Sequence, residues 1–160
     1  MVHCGSLPYA PGVIQGSRTV LLLSGPNLNL LGDREPDVYG TETLDDHVKA
    51  ATAEADSRGL EVEHLQSNHE GDLIDAIHAA RERCAAIIIN AGALTHYAWG
   101  IHDALASFDG PVIELHISNP YRREAWRSTS VVAPVATGAI CGLGGHGYQL
   151  AVAAVARLLA

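Results

Sequence analysis

The chain has 160 residues, of which 48% are hydrophobic and 18% charged, a balance typical of one ordinary globular domain. Its formal net charge of −8 at pH 7 argues against non-specific binding to nucleic acids or anionic membranes, since both need a basic face. The charge does not exclude an anionic small substrate, because a pocket can be locally positive. No apolar run reaches the roughly 18 residues that a membrane helix needs.

The three cysteines, Cys4, Cys84 and Cys141, are an odd number without CxxC spacing, which indicates reduced thiols in a cytoplasmic protein. Residues 1–18 have neither a basic start nor a continuous apolar core, so they do not resemble a signal peptide. We expect residues 1–18 to be a flexible N-terminal extension and residues 19–160 to form a single α/β domain.

Five short segments have the composition of buried or half-buried strands, and helical patterns separate them. The strands are predicted at Thr19–Ser24, Leu60–Gln66, Ala86–Asn90, Pro111–His116 and within Val131–Ile140. Strands that alternate with helices predict βαβ units, and therefore a parallel sheet with right-handed crossovers. We expect a flavodoxin-like, doubly wound, five-stranded sheet with the order 2-1-3-4-5 and helices on both faces.

Four helices are predicted between and after these strands. The first begins at a capping box formed by Thr43 and Asp46, and Gly59 fits its end. The last, from about Gly147, is apolar nearly all round, which indicates deep burial or contact with another subunit. The buried stripes of the second and third helices are predicted to include Leu73, Ile77, Ala80, Cys84, Ile101, Leu105 and Phe108.

Residues 25–40, GPNLNLLGDREPDVYG, form a long connection between the first strand and the first helix. Such connections usually take about 2–6 residues, and longer ones tend to be lids or binding loops. The segment contains Asn27, Arg34 and Tyr39, with glycines that permit hinges and prolines that stiffen it locally. We interpret it as a lid that carries chemically active side chains.

The site of a doubly wound sheet lies beyond the carboxyl ends of its strands, near the switch in strand order. Three separate loops, after the first, third and fourth strands, carry polar residues toward that rim. We therefore expect the three loops to converge on one site. The residues concerned are Asn27, Arg34, Tyr39, Asn90, His96, His116, Ile117 and Ser118.

Two pairs of residues suggest acid–base chemistry. A lone loop tyrosine is usually a packed aromatic, but Arg34 lies five residues from Tyr39, and a guanidinium favours the phenolate that can act as a base. Glu114 precedes His116 on the same face of the fourth strand, where it can orient or charge the imidazole, although such a histidine can also be a satisfied core residue. These groups suit proton abstraction next to a carbonyl, coupled to loss of a hydroxyl.

Other motifs are less informative. Gly142–Gly147 matches GxGxxG, but a dinucleotide site would need a following βαβ unit, so we favour a tight turn into the last helix. The nine histidines lack metal-site spacing, and the one lysine, Lys49, is predicted on the solvent side of the first helix, which disfavours a Schiff base. The third strand ends in Asn90 rather than in the acid of a receiver domain. We predict no metal and no cofactor.

Five segments carry a family resemblance: GPNLNLLGDREPDVYG, QSNHEGDLID, INAGALTH, ELHISNPYRRE and ATGAICGLGGHGY. In order and spacing they resemble the motifs of type II 3-dehydroquinate dehydratases, from about residue 19 to the end. The resemblance implies trans-elimination of water from 3-dehydroquinate, through an enolate and without a cofactor, to give 3-dehydroshikimate. It also implies a cytoplasmic dodecamer, built as a tetramer of trimers.

The resemblance further implies a role for each site residue. Tyr39 would remove the proton next to the ketone, and Arg34 would stabilise the phenolate and the developing charge. Asn27 would hold a water against the enolate oxygen. His116 would protonate the departing hydroxyl, with Glu114 behind it.

The resemblance implies that the substrate is positioned by both side chains and backbone groups. Ile117 and Ser118 would act through backbone N–H groups on its carboxylate, and Asp103 would reach a neighbouring subunit's site. The other positioning residues would be Asn90, His96, Arg123 and Arg127. Departures from typical members, Tyr97–Trp99 and Ser128 with Thr129, concern subunit packing or the pocket rim.

Two other functions are compatible with the sequence. A flavodoxin-like module that binds FMN or a small anion without catalysis is the main alternative. A structural oligomer built by the apolar last helix is a third, but it does not explain the polar loops. If the chain is a dehydratase, the same step serves shikimate biosynthesis and quinate breakdown, and the sequence does not distinguish the two.

Overall fold

The computed structural model describes residues 16–33 and 41–160, which form a five-stranded sheet covered by helices. The strands are β1 (Thr19–Ser24), β2 (Glu61–Gln66), β3 (Ala86–Asn90), β4 (Val112–His116) and β5 (Gly138–Cys141). Each pair of neighbours is parallel, in the order β2-β1-β3-β4-β5. The predicted flavodoxin-like topology is therefore confirmed.

The long helices are α1 (Leu44–Ser57), α2 (Glu70–Ala80), α3 (Trp99–Ala106) and α4 (His146–Leu159). None of the helices in the described part of the chain is long and apolar enough to cross a bilayer. Residues 1–15 and 34–40 are outside the described part. They include most of the predicted extension and both Arg34 and Tyr39.

The sheet separates two apolar cores because successive side chains of a strand point to opposite faces. Leu22 of β1 packs in a core with the buried faces of α1 and α4, whereas Leu21 and Leu23 pack in a core with α2 and α3. Ile88 and Ile87 of β3 divide in the same way. The doubly wound arrangement follows from this alternation, since each face of the sheet needs its own helical cover.

The first helix begins as the sequence predicts. The Thr43 hydroxyl accepts a hydrogen bond from the Asp46 N–H (3.2 Å), and the Asp46 carboxylate accepts one from the Thr43 N–H (2.9 Å). These reciprocal bonds satisfy two N–H groups that have no partner within the helix. After Ser57, Gly59 adopts a φ of 68°, a left-handed conformation that suits glycine and ends the helix.

The short fifth strand occupies the last part of the segment in which it was predicted, and it ends one residue later, at Cys141. Val131 and Val132 are buried, but Ala133–Val135 form a single 3₁₀ turn, and the strand begins at Gly138. Pro134 supplies no backbone N–H to a sheet ladder, which explains why the segment does not pair from its start.

Two apolar side chains of the predicted helical stripes lie beyond the ends of their helices in the structure, and both are still buried. Cys84 lies beyond the end of α2 and Phe108 beyond the end of α3, yet they are only 2% and 8% exposed. One face of α4, which includes Tyr148 and Val152, is fully buried in the core, while Leu158 is 45% exposed. The last helix is therefore a core helix, as predicted, with part of its apolar surface uncovered in the single chain.

The loops that follow β1 and β3 approach each other closely at Gly25. Its backbone N–H donates to the carbonyl of Asn90 (2.8 Å), and a Cβ at this position would collide with the carbonyl oxygen of Ala91. Only glycine allows this approach. The contact brings the start of the predicted lid beside the end of β3, where the polar rim begins.

Candidate active site

A cleft of about 770 Å³, including its open mouth, lies beyond the carboxyl ends of β1, β3 and β4. Apolar side chains such as Leu28 and Leu31 form part of its wall. The predicted site residues that line it are Asn27, Asn90, His96, His116, Ile117, Ser118, Arg123 and Arg127.

Two predicted site residues in the described part of the chain, Glu114 and Asp103, do not line this cleft. Glu114 lies behind His116 and is only 2% exposed. Asp103 lies on α3 with its side chain exposed, away from the cleft of its own chain. Arg34 and Tyr39 are outside the described residues, so the structure does not test their placement.

Asn27 is held at the fixed end of the long loop. It has a φ of 66° and a ψ of −1°, the left-handed conformation that asparagine tolerates better than most residues. Its backbone N–H donates to Asn68 Oδ1 (2.9 Å), and Gln66 Nε2 donates to the same oxygen and to the Gly25 carbonyl (each 3.3 Å). The end of β2 therefore supports the position of Asn27, a contribution that sequence reasoning missed although both side chains belong to the QSNHEGDLID segment.

Asn90 is buried at the floor of the cleft, with 3% exposure. Its Nδ2 donates to the hydroxyl of Tyr148 (3.2 Å), and its Oδ1 accepts from the N–H of Gly92 (3.3 Å). Tyr148 is also hydrogen-bonded to Ser24, and burial raises the pKa of Tyr148 to about 12, so it stays protonated at neutral pH. These contacts fix the orientation of the Asn90 amide before any ligand binds.

His96 is oriented by the segment that follows Arg127. Its Nδ1 lies 2.7 Å from the carbonyl oxygen of Thr129, and because a carbonyl only accepts, Nδ1 carries the proton. The imidazole also meets the Trp126 ring edge-on, with 5.0 Å between ring centroids. Arg127 lies over the same indole, 4.1 Å from its centroid. Trp126 therefore supports two cleft residues, a role that the sequence analysis did not predict.

The cleft is locally positive although the whole chain is acidic. Its lining in the described part of the chain includes Arg123 and Arg127 and no carboxylate. Glu124, just outside, accepts from Arg127 Nε (2.6 Å) and lies 3.7 Å from Arg123 Nε. Its own backbone N–H and Arg127 hold the pKa of Glu124 below its ordinary value, so this carboxylate is ionised and orients both guanidinium groups. The arrangement suits an anionic ligand.

His116 and Glu114 form the predicted pair. His116 Nε2 lies 2.9 Å from Glu114 Oε1. Burial alone would raise the pKa of Glu114, but hydrogen bonds from His116, Thr95 and Ser130 outweigh it and leave that pKa below its ordinary value. Glu114 is therefore an anion at neutral pH, and Nε2 must donate to it. Because Nε2 is engaged in this way, Nδ1 is the ring nitrogen that can serve a ligand.

In the described part of the chain, no side chains are arranged to bind a metal ion, and the lysine that could form a Schiff base is exposed. No three His, Cys, Asp or Glu side chains there form a cluster that could bind a metal ion. Lys49 is 72% exposed on α1, where it pairs with Asp45.

Gly142 and Gly144 have φ values of 81° and 60°, and they form the predicted tight turn into α4.

Comparison with known proteins gives one consistent family. Residues 18–156 match the family described as Dehydroquinase class II. The chain is 54% identical over 140 residues to 3-dehydroquinate dehydratase 2 of Pseudomonas putida, covering 88% of this chain and 94% of that protein. It is 49% identical over 141 residues to the catabolic 3-dehydroquinase of the fungus Phaeosphaeria nodorum, covering 88% and 93%. The crystal structure of type II dehydroquinase from Propionibacterium acnes matches with a TM-score of 0.85 at 42% identity, covering 88% of this chain and 97% of that one.

Proposed function

Since the chain belongs to the class II dehydroquinase family, we propose that it is a hydro-lyase that converts 3-dehydroquinate to 3-dehydroshikimate by trans-elimination of water. One observation beyond family membership carries this proposal. Residues from three separate loops line a single locally positive cleft, which also contains the imidazole of the His116–Glu114 pair. A carboxylated hydroxy-ketone fits the chemistry of that cleft.

The elimination begins with loss of the proton next to the ketone. Tyr39 acts as the base in its phenolate form, which Arg34 stabilises. The negative charge then develops on the ketone oxygen as the enolate forms. Asn27 holds a water against this oxygen, and the support of Asn27 by Asn68 fits such a preorganised role.

The second half of the reaction is departure of the hydroxyl. His116 donates a proton to it, and Glu114 lies behind the imidazole, with Oε1 2.9 Å from Nε2. A histidine whose Nε2 already donates to a carboxylate can give a proton through Nδ1 only from its cationic form. The buried Glu114 carboxylate supplies the counter-charge for that form.

Binding of the substrate uses groups around the same rim. The backbone N–H groups of Ile117 and Ser118 receive its carboxylate at the end of β4. Arg127 supplies positive charge, and Arg123 acts as a second cation beside Tyr39. Asn90 and His96, both oriented by other residues, receive its hydroxyls.

We also propose a cytoplasmic dodecamer, arranged as a tetramer of trimers, in which Asp103 enters a neighbouring subunit's cleft. The exposed position of Asp103, outside the cleft of its own chain, supports this arrangement. Light scattering is expected to give about twelve times the mass of one 16.9 kDa chain. A monomer that is fully active on 3-dehydroquinate would contradict both the assembly and the role of Asp103.

A direct assay tests the activity. The purified protein is expected to produce the conjugated enone of 3-dehydroshikimate, detected by ultraviolet absorbance, when it receives 3-dehydroquinate. The rate is expected to be unchanged by EDTA, and by borohydride added with substrate, because the proposed mechanism uses neither a metal ion nor the exposed Lys49. Absence of turnover would overturn the proposed function, and inhibition by either reagent would overturn the mechanism.

Biosynthetic and catabolic roles involve the same elimination, and a relative named catabolic 3-dehydroquinase is 49% identical to this chain over 141 residues. The proposal of the reaction therefore holds for either role. Growth of a strain without its own dehydroquinase separates the two uses: rescue on medium lacking aromatic amino acids indicates biosynthetic capacity, and rescue on quinate as carbon source indicates catabolic capacity.

A further inference from the structure

Two hydroxyl groups converge on the carboxylate behind His116. Thr95 Oγ1 donates to Glu114 Oε1, and Ser130 Oγ lies 2.9 Å from Oε1 and 3.1 Å from Oε2. Thr95 is fully buried and Glu114 is 2% exposed. Thr95 lies in the turn after β3 and Ser130 lies before β5, so two segments distant in sequence hold one carboxylate.

The number of available protons fixes the direction of these hydrogen bonds. Ser130 Oγ accepts from the backbone N–H groups of Val132 (3.1 Å) and Ala133 (2.9 Å). Its single proton can go either to Glu114 (2.9 Å) or to Thr95 Oγ1 (3.0 Å), and the anionic carboxylate is the stronger acceptor. Thr95 has one hydroxyl proton and gives it to the same carboxylate, while its own carbonyl accepts from the N–H of Val131 (2.7 Å). Both hydroxyls thus act as donors toward Glu114, which favours its anionic form.

We propose that Thr95 and Ser130 are positioning residues of the dehydration: they hold the Glu114 carboxylate ionised and aligned, and so keep His116 ready to protonate the leaving hydroxyl. The inference rests on the proposed function, in which His116 is the general acid. Neither residue lines the cleft. Their effect reaches the reaction only through Glu114 and His116.

The charges around His116 explain why the Thr95 and Ser130 hydroxyls are needed to hold Glu114. Arg123 and Arg127 line the same cleft. Their positive charges lie on the cleft side of His116, whereas the Glu114 carboxylate lies behind it, 2.9 Å from Nε2. Without the two hydroxyl donors, the buried carboxylate would itself tend to take up a proton, and His116 would lose its counter-charge.

The test is a double-mutant cycle on turnover of 3-dehydroquinate. Thr95→Val, which keeps the side-chain shape, is expected to lower kcat about tenfold or more, the range for a hydrogen bond to a charged group, with KM within about twofold. Thr95→Ser restores the donor and is expected to recover most of kcat. In a His116→Ala background, Thr95→Val is expected to cause no further loss, because its effect passes through His116.

Several controls make each result decisive. Ser130→Ala repeats the test from the other hydroxyl, and circular dichroism and thermal unfolding identify any variant that fails to fold. Thr52→Val removes a hydroxyl that bonds only within α1 (2.9 Å to the Val48 carbonyl), and it is expected to leave kcat unchanged. The inference is overturned if Thr95→Val lowers kcat by the same factor with and without His116, or if Thr95→Ser lowers kcat as much as Thr95→Val does. Either result leaves the dehydratase activity of the parent chain standing. No turnover by the parent chain would instead overturn the proposed function.

Discussion

Replacement of His116 by alanine is expected to lower kcat by about 10²–10⁴-fold, the usual contribution of a positioned general acid. The hydroxyl that leaves during elimination is a poor leaving group unless it receives a proton as the bond to carbon breaks. In the structure, His116 is the imidazole at the cleft whose Nε2 is held by a buried carboxylate, 2.9 Å away. Loss of the imidazole leaves Glu114 behind the cleft with no acid between it and the substrate.

The measurement is the rate of enone absorbance growth at saturating 3-dehydroquinate, with KM determined separately. KM is expected to change much less than kcat, since His116 acts mainly as the bond breaks. His78→Ala, which removes an exposed histidine of α2, serves as the matched control and should retain parental activity. Retention of parental kcat by a folded His116→Ala variant would show that another group is the acid.

Substitution of Tyr39 by phenylalanine is expected to lower kcat by a similar or larger factor, about 10²–10⁴-fold or more. The change keeps the aromatic ring but removes the oxygen that takes the proton next to the ketone. An ordinary tyrosine has a pKa near 10 and is a weak base at neutral pH, so the proposed mechanism needs Arg34 to stabilise the phenolate. Arg34→Ala is therefore expected to lower kcat as well. The factor by which it lowers kcat should become smaller as the pH is raised toward 10, where the Tyr39 phenol ionises without the guanidinium.

The control for Tyr39→Phe is Tyr121→Phe, which removes a hydroxyl from a side chain that is 68% exposed. The control is expected to keep the parental kcat and KM. Exchange of the substrate's proton with deuterated water separates the two halves of the reaction. Tyr39→Phe should abolish this exchange, and continued exchange at the parental rate would mean that the base is a different residue.

The fold was largely predictable because its signals are local and mutually consistent. The strand Ala86–Asn90, which is apolar up to Ile89, predicts burial on both faces, the Thr43–Asp46 capping box marks a helix start, and the alternation of strands and helices predicts a parallel sheet. The position of the polar loops could also be predicted from the parallel sheet, since the carboxyl ends of parallel strands share one edge of the sheet. Asn90 and His116 line one cleft because the order of the strands places the ends of β3 and β4 side by side.

The features that could not be predicted depend on contacts in the folded chain, and a local sequence pattern does not encode such contacts. The sequence placed β5 only within Val131–Ile140 and did not give its start, because apolar residues such as Val132 can be buried in a turn as well as in a strand. The roles of Thr95 and Ser130 were missed because a hydroxyl residue in a loop looks the same whether it meets solvent or a buried carboxylate. Trp126 was missed for a similar reason: its contacts with His96 and Arg127 exist only in three dimensions.

The position of Tyr148 has a consequence for how the protein is made. Its hydroxyl supports Asn90 from the first turn of α4, and β5 completes the sheet beside β4, which ends at His116. A ribosome delivers β5 and α4 after every residue proposed to touch the substrate. Nascent chains that stop before β5 therefore carry the proposed reactive groups without the strand that pairs with β4 and without the Tyr148 hydroxyl that holds Asn90.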